Sequence, residues 1–150
     1  MAFFPDLGPI DYFPLADARA LRAVGWLTRG QDFVRGEVSR DFFGRLCELL
    51  VSPWQPLASS GFHECDLCRF SGGPRHLRWG DATISLGAAN LFVPGQGCIY
   101  VAPSLIAHFV DAHDYSPPRE FTQAVLQCPL PRTMEYKRLL LANGGRLLVP

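Results

Sequence analysis

The chain has 150 residues, 48% hydrophobic and 19% charged, a balance that supports a globular fold and excludes an intrinsically disordered one. Fourteen basic residues offset fourteen acidic ones, which argues against a nucleic-acid binder that works through a broad basic surface. That length is one domain's worth, so residues 1–150 are expected to share one core, and no run approaches the roughly 18 apolar residues of a membrane span.

The N-terminus lacks a basic region followed by a long apolar stretch, so no secretory leader is expected and the expected location is the reducing cytoplasm. Residues 1–15 carry Phe3, Phe4, Tyr12 and Phe13 among prolines and glycines. They read as an irregular extended segment that buries its rings across the domain. Residues 16–23 read as a helical turn or a surface loop, and residues 24–27 as a short buried segment anchored by Trp26. A helix is expected over 37–50, with Ser39 as a natural cap and Phe42, Phe43, Leu46, Cys47, Leu49 and Leu50 as a wide apolar face. Pro53 and Pro56 end it.

The chemistry lies in residues 61–115. Cys65 and Cys68 are separated by two residues, and His108 and His113 by four. Thiolates and imidazoles in this grouping complete the four-coordinate shell that zinc prefers, although iron or cobalt could occupy the same donors. Cys-x2-Cys suits a tight knuckle. Residues 102–113 read as a helix, with Pro103 in the first turn, Ser104 as an alternative cap, and Leu105, Ile106, Phe109 and Val110 as its apolar stripe. On an ideal helix His108 and His113 lie ~140° apart, so the last turn must loosen for both to meet one ion.

About forty residues separate Cys68 from His108, where a small finger has roughly a dozen. That interval holds candidate strands at 82–86 and 98–101. The fold class expected is therefore α+β: a zinc knuckle, short strands or a hairpin, and a ligand-bearing helix, with further helices packed on. This is an enlarged-finger or treble-clef-like arrangement. His63 is a rival ligand that could replace either helix histidine, and His76 reads as an exposed loop residue. Cys47, Cys98 and Cys128 fall in apolar patterns and read as buried small hydrophobes.

A helical extension is expected over 117–150. Ser116 is a natural cap and Pro117 a natural first residue for a helix to about 127, with Phe121, Ala124, Val125 and Cys128 at helical spacing. A final helix is expected over 133–142, stopped by Asn143-Gly144-Gly145, and Leu147-Leu148-Val149 reads as an edge strand or an interface filler.

Several strings together resemble a family of small bacterial proteins of unknown function. They are Phe4-Pro5-Asp6-Leu7, Val24-Gly25-Trp26-Leu27, the knuckle Gly61-Phe62-His63-Glu64-Cys65-Asp66-Leu67-Cys68, residues 100–110, and His113-Asp114-Tyr115-Ser116-Pro117-Pro118. The resemblance spans most of residues 3–126 and implies that Cys65, Cys68, His108 and His113 act as a unit. It implies no activity.

Three functions compete. The leading one is a non-enzymatic binding or adaptor protein stabilised by structural Zn2+, with a protein partner and no membrane. The second is nucleic-acid recognition through the enlarged finger, using Arg69, Arg75, Arg78 and Arg119. The third is a zinc-dependent hydrolase or nuclease, in which one ligand is displaced and Glu64, Asp66 or Asp111 serves as base. The fragment from His63 to Cys68 shares residue types with the zinc deaminases, but in the wrong order and spacing.

Overall fold

Two runs of five consecutive buried residues form the spine of the structure. A computed structural model describes residues 2–11, 19–56 and 62–149. In it, strands β4 (Asn90–Pro94) and β5 (Ile99–Pro103) are buried at every position. Runs without apolar–polar alternation belong to strands covered on both faces. β4 and β5 pair antiparallel from Asn90↔Pro103 to Pro94↔Ile99, across a turn closed by the Gly95 N–H donating to the Cys98 carbonyl at 2.8 Å. On the other side of β5, strand β1 (Leu21–Ala23) pairs in parallel, Leu21 opposite Ile99 and Ala23 opposite Val101. The sheet order is β1-β5-β4.

A separate hairpin joins β2 (His76–Trp79) to β3 (Ala82–Ser85), with Trp79 opposite Ala82. Gly80 takes φ 57° at the first position of its two-residue turn, a conformation that glycine adopts cheaply. Four helices pack around these strands: α1 (Arg40–Val51), α2 (Ile106–His113), α3 (Arg119–Gln127) and α4 (Met134–Ala142). The apolar face of α1 lies against α3, α2 and the hairpin, while α3 and α4 cover β4. Trp26 anchors the centre, fully buried, with its Nε1–H donating to the Val101 carbonyl at 2.9 Å. None of the described helices is long and apolar enough to cross a membrane.

The α+β class holds. Helix α1 begins after Ser39, whose hydroxyl accepts from the Phe42 N–H, so the helix starts three residues later than residue 37. In the N-terminal segment Phe4 meets the Trp26 ring edge-on at 5.5 Å, as its packing role requires. Tyr12, Phe13 and residues 16–18 lie outside the described residues.

Several expectations need correction. Residues 21–23 form β1 rather than a helical turn or a loop, because Leu7 and Gly8 bond Ala23 from one side while β5 pairs with it on the other. The helix expected from 102 starts at Ile106, because Ala102 and Pro103 complete the ladder opposite Leu91 and Asn90. Ser104 caps no helix; its Oγ accepts the Gly87 and Ala89 N–H groups at 2.9 and 3.4 Å. Ser116 donates its N–H to the Val34 carbonyl, so α3 starts after Pro118 with no side-chain cap. Residues 146–148 form a 3-10 turn instead of an edge strand, with Leu148 buried and its carbonyl accepting from Trp54 Nε1 at 2.9 Å. His76 is exposed as expected, but on β2 and not in a loop.

Candidate metal centre

The knuckle is a loop that folds back on itself. The Cys65 N–H donates to the Gly72 carbonyl at 2.7 Å, and just upstream the His63 N–H donates to Gly87 at 2.8 Å. Asp66 fastens it to the surface segment at residues 28–29 by accepting from Thr28 Oγ1 at 2.5 Å and from the Arg29 N–H at 3.2 Å. The facing element is α2, rigid because Ile106, Ala107 and Phe109 are fully buried. Asp114 then takes the left-handed conformation at φ 57° and returns its N–H to Phe109, so the helix ends on His113. Despite the ~140° between them on an ideal helix, the His108 and His113 rings meet, with centroids 5.0 Å apart and planes at 87°.

Four side chains converge. The ligand atoms of Cys65, Cys68, His108 and His113 all lie within 4.8 Å of one another, a grouping that could hold a metal ion. Cys68 Sγ is 3.3 Å from His108 Nε2 and 3.5 Å from His113 Nε2, and Cys65 Sγ is 3.5 Å from His113 Nε2. Bonds of ~2.3 Å to sulfur and ~2.0 Å to nitrogen give a tetrahedron whose S···N edges are ~3.5 Å. The observed separations match those edges. Hydrogen bonding alone accounts for less, because the single thiol proton of Cys68 cannot serve both imidazoles.

The electrostatics fit the same chemistry. Burial holds His108 below the ordinary imidazole value, with His113 adding to the effect and Asp111 opposing it. Burial does the same to His113, reinforced by Arg35 and opposed by Asp114. Both rings are thus kept neutral with a free lone pair. Cys65 is fully buried and its thiol is pushed up to about 11, mainly by burial, while backbone hydrogen bonds from Cys68 and Leu67 favour the thiolate. A divalent cation would supply the missing positive charge and deprotonate such a thiol.

Gly73 is part of this site, and no ligand spacing pointed to it. A Cβ there would stand 2.8 Å from Cys65 Cβ, 3.5 Å from His108 Nε2 and 3.6 Å from Cys68 Sγ, and the residue holds φ 83°. The Gly72-Gly73 pair soon after Cys68 was the available signal, since adjacent glycines mark backbone that must take positive φ.

The remaining candidates fall elsewhere. His63 is half-buried and outside the converging group, with its own value lowered mainly by burial. Glu64 is exposed and lies over Gly72, Asp66 is committed to Thr28 and Arg29, and Asp111 is exposed on α2. Arg69 lines a cleft with Arg29 and Arg35, not with Arg75 or Arg78. Arg75 covers the Phe62 ring at 4.5 Å, Arg78 is exposed on β2, and Arg119 is exposed at the start of α3. Cys47 and Cys128 are buried as expected, whereas Cys98, at the β4–β5 turn, is only half-buried.

No match to the chain is found among curated proteins or among solved structures. The family model described as Domain of unknown function (DUF7919) matches residues 2–126, a span that takes in the knuckle and all of α2 and leaves α4 outside. The chain belongs to that family.

Proposed function

We propose that the protein is a non-enzymatic binding or adaptor protein whose knuckle and ligand helix are held together by one structural Zn2+ bound to Cys65, Cys68, His108 and His113. The observation that carries this reading is the closed donor set: four side chains, two from the knuckle and two from α2, with ligand atoms within 4.8 Å and no carboxylate among them. Four protein donors fill a tetrahedral shell, whereas catalytic zinc keeps one position for water. With β2 to β5 inserted between knuckle and helix, the arrangement is an enlarged, treble-clef-like finger. Thiolate ligands support a reducing compartment such as the cytoplasm as its location.

The test is metal content together with stability. The purified chain is expected to hold one zinc, and Cys65→Ser or His113→Ala to lose it and the cooperative melting transition with it, because binding a structural ion is folding free energy. His63→Ala is expected to keep the metal. A variant that loses zinc with an unchanged melting curve would refute the structural role.

A further inference from the structure

We propose that the cleft between the knuckle and residues 29–35 is the partner-docking site, and that it takes an acidic peptide segment of a protein partner. The inference rests on the binding-protein reading above and names the chemistry of that partner. The cleft encloses about 520 Å³ and is lined by Arg29, Arg35 and Arg69, with Asp32, Phe33 and Leu67 among its other walls. Among the described residues the one carboxylate-to-cation pair is Arg45 with Glu48, so none of the three cleft guanidinium groups is neutralised by an ion pair. Arg29 bonds the Cys68 carbonyl at 3.5 Å and Arg35 lies over the Phe33 ring at 4.6 Å, contacts that orient both groups and leave their charge uncompensated. Three cations against Asp32 in the lining and Asp66 beside Arg29 still leave a local positive excess on a chain whose total charge is zero. Forked, planar guanidinium groups recognise carboxylates in a bidentate manner.

One further observation selects a peptide over a nucleic-acid strand, and a second marks the same surface for docking. Beyond Arg35 the surface continues as a second concavity lined by Glu37 and Asp114, whose carboxylates would repel a continuing phosphate backbone. A peptide can confine its carboxylates to the arginine cleft and continue past Arg35 as neutral residues, whereas a nucleic acid carries a charge at every nucleotide. Phe70, next to Arg69 in the chain, is 96% exposed, the kind of aromatic that is enriched where protein surfaces dock. The knuckle carries Leu67, Arg69 and Phe70, so the ion that closes the knuckle also shapes this wall.

The experiment is a titration of the zinc-loaded, 15N-labelled full chain with the peptide Glu-Glu-Glu-Gly-Ser-Gly at low salt, followed by NMR, with the hexathymidylate oligonucleotide as the parallel arm. Expected are saturable shifts centred on the Arg29, Arg35 and Arg69 side-chain N–H groups, and binding at least ~10-fold weaker for the oligonucleotide. Arg69→Gln and Arg35→Gln should each weaken peptide binding about 3- to 10-fold, the range for one lost charge-assisted contact at an exposed site. Arg78→Gln, outside the cleft, should leave it unchanged. Absence of shifts, shifts centred on Arg75 and Arg78, or tighter binding of the oligonucleotide would each overturn the proposal. A negative titration with the zinc-bound spectrum intact refutes the cleft alone, whereas the structural-zinc reading fails only on the metal assay.

Discussion

Replacing Gly73 by alanine adds one methyl group at the most crowded point beside the cysteine and histidine cluster. Two terms follow from the geometry. The backbone there holds φ 83°, where an L-residue costs ~1–2 kcal/mol relative to glycine. The new Cβ would stand 2.8 Å from Cys65 Cβ, closer than carbon atoms tolerate, and Cys65 cannot yield without moving its sulfur. Forcing an extra methyl into a packed site costs ~1–3 kcal/mol. The sum is ~2–5 kcal/mol, or a fall in melting temperature of roughly 4–20 °C for a chain of this size. Because the clash falls on the arrangement that brings the ligands together, it should also weaken zinc binding ~10- to 100-fold, by the conversion of ~1.4 kcal/mol per decade.

Gly80→Ala is the matched control. It has φ 57° but no atom within 4 Å of its would-be Cβ, so only the conformational term applies. The assay is zinc competition against a chromophoric chelator, run beside thermal denaturation of both variants. If Gly73→Ala binds zinc as tightly as Gly80→Ala does, the reasoning about crowding at the ligands is wrong.

Two further outcomes are expected. Asp6→Ala removes the acceptor of the Tyr115 hydroxyl at 2.7 Å and of the Gly25 N–H at 3.0 Å, and leaves the O–H of a buried phenol without its acceptor. A charge-assisted bond of this kind contributes ~2 kcal/mol, so denaturant melts should register that loss, and a change below ~0.5 kcal/mol would show that the tether is idle. Burial pushes the Cys47 and Cys128 thiols up to about 12, aided at Cys47 by Asp111 and opposed at Cys128 by Arg45. Both should resist alkylation at pH 8 while half-buried Cys98 reacts, and equal rates at Cys47 and Cys98 would contradict the packing. These two folded values stand above the ordinary thiol value of 9.0, so the thiols' contribution to stability is complete below pH 9 and is lost as pH climbs toward 12. Alkaline unfolding monitored by circular dichroism should therefore shift to higher pH in Cys47→Ala.

What could be read without coordinates was local. The candidate donor set was legible because zinc chemistry restricts donors to a few residue types at short spacings, and Cys65, Cys68, His108 and His113 do meet in a grouping that could hold a metal ion. Helix α1 was legible from its apolar period and Ser39 cap, and α4 from its period and the Asn143-Gly144-Gly145 stop, since both signals lie within a few turns of the chain. Where local preference and long-range pairing disagreed, pairing won. Pro103 and Ser104 suit a helix start, yet Ala102 and Pro103 belong to β5 because β4 and the core offered them a ladder and complete burial. Strand β1 is too short to announce itself and exists because Ile99 to Val101, 78 positions along the chain from their partners, lie beside it. The same holds for the cleft: Arg69 suggested a basic run with Arg75 and Arg78, but folding set it beside Arg29 and Arg35. Residue type and spacing point to a candidate metal site because an ion would impose its geometry on them. Which strands pair and which charges share a surface is decided by contacts between distant segments, and those exist only in the folded chain, where β5 pairs with both β1 and β4.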